Sequence, residues 1–127
     1  MNLSSTPNPS KLQAWKRGRM AEPVCAWVLR LKGYRIRART YKTSVGEIDI
    51  IAQRGNILVF IEVKARATTA AAAESIRFQQ QQRITRAAQV YIANFPKLSN
   101  INIRFDAMLM APGRLPDHIK GAWRHDP

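Results

Sequence analysis

The chain has 127 residues, enough for one domain with a real core and too few for two. Lys and Arg number 21 against 8 Asp and Glu, a formal charge of +13 with a pI near 11.1, and such an imbalance points to a polyanionic partner. Cys25 is the only cysteine, which excludes an internal disulfide and a cysteine-based zinc site, and no apolar run approaches the ~18 residues of a membrane span.

The opening MNLSSTPNP has neither a positive n-region nor an apolar h-region, so the expectation is a soluble, cytoplasmic protein. Charge is concentrated early: residues 1–42 hold ten Lys/Arg and one acid, the rest eleven against seven. The expected organisation is a flexible basic arm over residues 1–17, followed by a single domain over 18–127 with a partly ordered C-terminal tail. Within 10–32 the pattern is helical, with Val24, Val28 and Leu31 on one face and Gly33 as a stop. Pro23 is costly deep in a helix and nearly free in a first turn. The main helix is therefore predicted to begin near Met20 to Glu22, behind a separate basic turn over 10–19.

YRIRARTY (34–41) alternates Arg35, Arg37 and Arg39 with Ile36 and Ala38, which predicts a strand with three arginines on one face. EIDIIAQRGNILVFIEVK (47–64) reads as two strands about a Gly-containing turn. RATTAAAA (66–73) predicts a mobile loop, and the next helix is expected from about Glu74 to Asn94. That helix should pack Ile84, Ala87, Ala88, Tyr91, Ile92 and Phe95 inward and turn Gln79, Gln82, Arg83, Arg86 and Gln89 outward. Ile101–Met110 is a further strand; in the Pro/Gly-rich tail only Ile119–Trp123 looks able to dock. Helix, three strands, helix and strand predict a mixed sheet with helices packed on it.

Charges near a core need a reason, and the hairpin carries four of them. Glu62 and Lys64 share a strand face, as do Glu47 and Asp49. A two-residue turn at Gly55–Asn56 sets Asp49 opposite Glu62 and Glu47 opposite Lys64, whereas a three-residue turn slips the register and sends Asp49 to the other face. In the first register two carboxylates share one small space, and a divalent cation or the Lys64 ammonium would relieve their repulsion. The alternative is an exposed cross-strand charge ladder. Against it, Ile57–Ile61 is apolar on both faces, the pattern of a doubly covered strand with a polar end at a cleft.

GEIDIIA (46–52) followed by FIEVKAR (60–66) closely resembles the signature of the YraN-like family of bacterial endonuclease-like proteins. That family is related to the PD-(D/E)XK nuclease superfamily and to archaeal Holliday-junction resolvases. GRMAE (18–22), RITRAAQVYI (83–92) and RFD (104–106) extend the likeness over roughly Gly18 to Trp123. The resemblance implies a restriction-endonuclease-like three-layer α/β/α core with a mixed central sheet. It further implies Asp49 and Glu62 as ligands of Mg²⁺ or Mn²⁺, the Val63 carbonyl as a third, and Lys64 as the catalytic lysine. Glu22 matches a helix glutamate that joins the metal cluster in related resolvases; otherwise it is an acid in a first helical turn, favoured by the macrodipole. Pro23, Gln80, Thr40 and Lys42 depart from the family pattern, the first touching the orientation of Glu22. A symmetric homodimer is also implied, although the chain shows no unambiguous dimer face.

The expected function is thus metal-dependent hydrolysis of DNA phosphodiesters, with branched or structured DNA suggested by the likeness. Arg19, Arg35, Arg37, Arg39, Lys42, Arg66, Arg83 and Arg86 are the candidate backbone contacts. A non-catalytic nucleic-acid-binding module is the alternative, and a basic helix over 10–32 on anionic lipid a weaker third. His118 and His125 are expected at the surface, Cys25 and Trp27 in the core, Trp15 as a base-stacking residue and Trp123 over the core. Arg104 and Asp106 share a strand face and can pair.

Overall fold

The computed structural model describes the backbone of residues 9–124 and the side chains from Met20 onward. The elements are α1 (Pro9–Leu31), β1 (Arg35–Lys42), β2 (Glu47–Arg54), β3 (Ile57–Ala65), α2 (Thr69–Glu74), α3 (Phe78–Ala93), a 3-10 turn (Pro96–Leu98), β4 (Asn102–Met110) and β5 (Asp117–Trp123). One sheet holds the strands in the order β1-β2-β3-β4-β5, antiparallel except for the parallel pair β3–β4. A parallel pair needs a crossover, which α2 and α3 supply.

On one face Cys25, Ala26 and Leu29 of α1 pack with Ile50, Val59, Ile61 and Met108. On the other, Ile84, Ala87, Ala88 and Tyr91 of α3 pack with Ile48, Ile51, Leu58, Phe60 and Phe105. This is a three-layer α/β/α arrangement, consistent with the expected nuclease-like α/β core. β3 is its centre, buried on both faces from Leu58 to Glu62. Among the described residues no helix is long and apolar enough to cross a membrane.

Several elements differ from the sequence reading. α1 is one helix through Pro23 rather than two pieces. The proline removes the hydrogen bond to the Arg19 carbonyl at a cost of about 3 kcal/mol, which burial of Ala21, Cys25, Ala26 and Leu29 against the sheet offsets. The stretch expected as a loop carries α2: Thr68 Oγ1 accepts from the Ala71 N–H at 3.0 Å, and Ala72 is buried against Ala107 and Leu109. The following helix consequently starts at Phe78, and Phe95 ends up largely exposed. Trp27, expected in the core, is 63% exposed, with the Arg30 guanidinium 5.2 Å from its ring centre. Trp123 does cover core, stacked on Phe105 at 5.5 Å. Trp15 and His125 lie outside the described side chains.

The tail forms a full strand, and a polar network locks it down. Asp106 is completely buried and accepts from Arg104 at 2.7 and 2.8 Å, from the Gly121 N–H at 2.9 Å and from His118 Nε2 at 2.7 Å. Arg104 also donates to the Tyr34 hydroxyl at 2.8 Å. His118, expected at the surface, has a side chain only 2% exposed. Lys32 Nζ stands 3.1 Å from its Nδ1, which puts the ring proton on Nε2, facing Asp106. A bulge opposite Phe105 and Ala107, with Gly121 at φ 62°, brings that glycine's N–H to the carboxylate. Burial pushes the Asp106 pKa up, but the hydrogen bonds from His118, Arg104 and Gly121 outweigh it and hold the group below the usual carboxylate range.

Gly46, which precedes β2, is required by close approach: a Cβ there would lie 2.5 Å from the Arg83 carbonyl oxygen of α3. Gly46→Ala is expected to lower unfolding free energy by about 1–3 kcal/mol in urea titrations, because the 43–46 turn must back away from the helix. Asp106→Asn should cost about 3 kcal/mol or more at pH 7 by stranding Arg104. Since the folded pKa is depressed, that contribution is present above the ordinary carboxylate range and lost as pH falls through the folded value. The gap in urea midpoint between the parent and Asp106→Asn should therefore close on acidification.

Candidate active site

The hairpin adopts the register of the two-residue turn. Arg54 pairs with Ile57 and Ile50 with Ile61, and Gly55 at φ 57° fits the first position of a type II′ turn. Extended one step, this register sets Asp49 opposite Glu62. The ladder stops before that step: β2 continues beside β1 as far as Glu47, while β3 continues beside β4 to Ala65. Glu47 accordingly pairs with Lys42 of β1 and not with Lys64.

Asp49 closes the gap where the two strands part. Its Oδ2 accepts the Val63 N–H at 2.7 Å, standing in for the backbone partner that β2 no longer supplies. The N–H and carbonyl of one strand residue point to the same side, so the Val63 carbonyl faces this gap too. A cavity of about 250 Å³ opens there, lined by Ala21, Glu22, Asp49, Glu62, Val63, Lys64, Ala65 and Arg66. The four residues singled out as catalytic thus share one space, contributed by three elements.

Alternation alone does not give this arrangement. Ile48 and Ile51, three apart, pack in the same cluster, so the period of two is broken between them. The break sits opposite Thr40, a β-branched residue at φ 49°, in the left-handed region. There Thr40 Oγ1 lies 3.0 Å from both Glu22 carboxylate oxygens, and Arg39 Nε is 3.2 Å from one of them. Glu22 is fixed at the cavity by these partners. It lies mid-helix, so the first-turn explanation for this acid does not apply.

The electrostatics are those of an acid pair, Glu62 buried and Asp49 half-buried, with too little positive charge. Glu62 is 5% exposed, and Lys64 Nζ is 3.5 Å from its Oε1. Burial, then the negative charge of Asp49, pushes the Glu62 carboxyl up to about 9 in spite of Lys64. Burial, followed by the charges of Asp49 and Glu22, likewise raises the Cys25 thiol to about 12, leaving it a protonated core side chain. No three His, Cys, Asp or Glu groups among the described residues form a preassembled metal cage. Two carboxylates beside a backbone carbonyl are a hard-oxygen set of the type that Mg²⁺ completes with water.

The basic candidates do not form one track. β1 bulges at Arg37, between the Ile36 and Ala38 pairings, so its three arginines do not share a face. Arg37 donates to the Tyr91 hydroxyl at 2.8 Å and, like Arg35, to Gln53 Oε1 at the far end of the hairpin, whereas Arg39 is spent on Glu22. Lys42 and Arg83 line a groove of about 760 Å³ between the 42–47 turn and the start of α3. Arg66 lines the carboxylate cavity, Arg86 faces β5, and the Arg19 side chain lies outside the described ones. Sequence reasoning missed the left-handed Thr40 and its tie to Glu22; no residue pattern signals them.

A mixed five-stranded sheet with helices on both faces, holding two acids and a lysine where central strands part, defines a nuclease-like α/β core. Residues 21–110 match the Uncharacterised protein family UPF0102, and the chain belongs to this family. A UPF0102 protein of Paramagnetospirillum magneticum is 46% identical over 127 residues, covering 97% of this chain and 98% of its own. One from Rhodopseudomonas palustris (strain BisB5) is 46% identical over 124 residues, covering 98% and 95%. A third, from Maricaulis maris, is 48% identical over 115 residues, covering 90% of each.

Because the folded pKa of Glu62 is raised, its proton stabilises the metal-free fold fully below the ordinary carboxylate range and less as pH rises towards about 9. Thermal unfolding between pH 5 and 9 should show Glu62→Gln gaining stability relative to the parent as pH rises, by at most about 1.4 kcal/mol per pH unit. Parallel profiles for the two chains would refute this.

Proposed function

We propose that this protein is a metal-dependent endonuclease that hydrolyses phosphodiester bonds in DNA, with branched or structured DNA as the substrate class the family likeness favours. The observation that supports it is the convergence of Glu22, Asp49, Glu62 and Lys64 on one cavity at the parting of β2 and β3. A net charge of +13 suits the polyanion. The lone thiol suits a reducing cytoplasm, and a homodimer is the assembly the resemblance favours.

Asp49, Glu62 and the Val63 carbonyl would hold Mg²⁺ or Mn²⁺, with Glu22 on the cavity wall beside them. When bound, such an ion supplies Lewis acidity towards a phosphoryl oxygen and lowers the pKa of water. The chain's own contribution is placement. The Val63 N–H fixes the Asp49 carboxylate, while Arg39 and Thr40 fix Glu22. Lys64, tethered to Glu62, orients the attacking water or stabilises negative charge developing on the phosphorus oxygens. Arg66 on the cavity lining and Lys42 with Arg83 in the neighbouring groove take the flanking phosphates.

One observation favours the second reading, a silent nucleic-acid-binding module: Glu22 is already neutralised by Arg39. Incubation of supercoiled plasmid and four-way junctions with Mg²⁺ or Mn²⁺ separates the two. The nuclease predicts cleavage abolished by chelator and reduced about 100-fold or more in Asp49→Ala and Lys64→Ala, with DNA binding retained. Binding without cleavage of any DNA form by the parent chain would leave the module.

A further inference from the structure

α3 separates two grooves. One runs along the 42–47 turn; the other, of about 410 Å³, lies on its opposite flank against β5. The second has a composition that the proposed hydrolysis does not use. At its edge Phe78, the first residue of α3, is 68% exposed, an unusual position for an aromatic ring beside the glutamines that begin this helix. Gln81 and Gln82 line the wall beside it, Trp123 forms the β5 side, and Arg86 and Arg124 are the charged members. Among the described residues no acid lines the cavity and neither arginine has an ion pair.

We propose that this cavity receives an unstacked base of a nucleic-acid strand. An exposed ring offers a stacking face to any base, carboxamides offer both a donor and an acceptor to a base edge, and two guanidinium groups suit the flanking phosphates. Duplex DNA keeps its bases stacked and presents no such face, so the cavity selects strands that are open, frayed or looped. Its location is consistent with that use. Trp123 is on β5, two strand spacings or about 10 Å across the sheet from β3, which carries Glu62 and Lys64. The inference rests on the reading of the protein as a nucleic-acid binder but not on its ability to cut.

The test is fluorescence anisotropy of the full chain, in chelator and at fixed salt, with a labelled 12-nucleotide single strand and the matching duplex. Phe78→Ala is expected to weaken single-strand binding about tenfold and leave duplex binding within about twofold, while Phe78→Trp restores the parent affinity. Equal affinity of Phe78→Ala and the parent for the single strand, or an equal loss on both substrates, would overturn the proposal. Phe78 is exposed and outside the three core clusters, so the variant folds. Because no metal or cleavage enters the measurement, a chain that never cuts DNA but shows the Phe78 effect sinks the nuclease reading and leaves the base site standing.

Discussion

The site depends on a single backbone decision, the separation of β2 from β3 beyond the Ile50–Ile61 pair. Parting two central strands inside a sheet leaves unpaired N–H and carbonyl groups in a low-dielectric setting, a cost that native structures rarely leave unmet. Asp49 meets it on one side by taking the Val63 N–H. In doing so the carboxylate is held beside Glu62, which burial on β3 has already deprived of water. One side chain thus both repairs the strand separation and takes its place in the candidate site. An apolar residue at this position would orphan the N–H, and a basic one would remove the negative charge that helps hold the Glu62 carboxyl protonated.

Around this gap the protein spends its other charges on holding things still. Arg39 and Thr40 immobilise Glu22, Arg37 joins β1 to Tyr91 of α3, and Arg104 with His118 ties β4 to β5 and to Tyr34. The excess of cations in the sequence is therefore not equivalent to a binding footprint. The arginines that alternate so evenly in YRIRARTY are tied to neighbouring side chains, Arg37 half-buried and Arg35 and Arg39 at the surface, and the other candidate basic residues are spread over the turn, the cavity lining and both flanks of α3.

The periodicities that were strong in the sequence gave correct structure. The doubly covered β3 follows from the apolar run Ile57–Ile61 and the inward face of α3 from Ile84, Ala87, Ala88 and Tyr91, whereas the Gly-Asn turn left two hairpin registers open, of which the structure takes the two-residue one. Failures occurred where a local rule was overridden by something distant. Pro23 does not break α1 because the sheet beneath it holds the helix on both sides of the proline. Trp27 is exposed although hydrophobic, since it lies on the side of α1 opposite the sheet-facing Cys25, Ala26 and Leu29. His118 is buried because Asp106, twelve positions earlier, waits for it across a β-bulge. The pairing of Asp49 with Glu62 was legible as one of two registers; the left-handed Thr40 that sets Glu22 in place was not, since it is a property of two strands and a helix together.

Both borders of the sheet are irregular. β1 is interrupted at Arg37 and twisted at Thr40, and β5 is distorted around Gly121, whose amide is already turned inward to Asp106. Neither border offers the straight row of donors and acceptors on which another chain could continue the ladder. Among the described residues a second copy finds no regular strand edge on which to extend the sheet. The same distortions that position the polar groups also protect a protein with five strands from aggregating along its flanks.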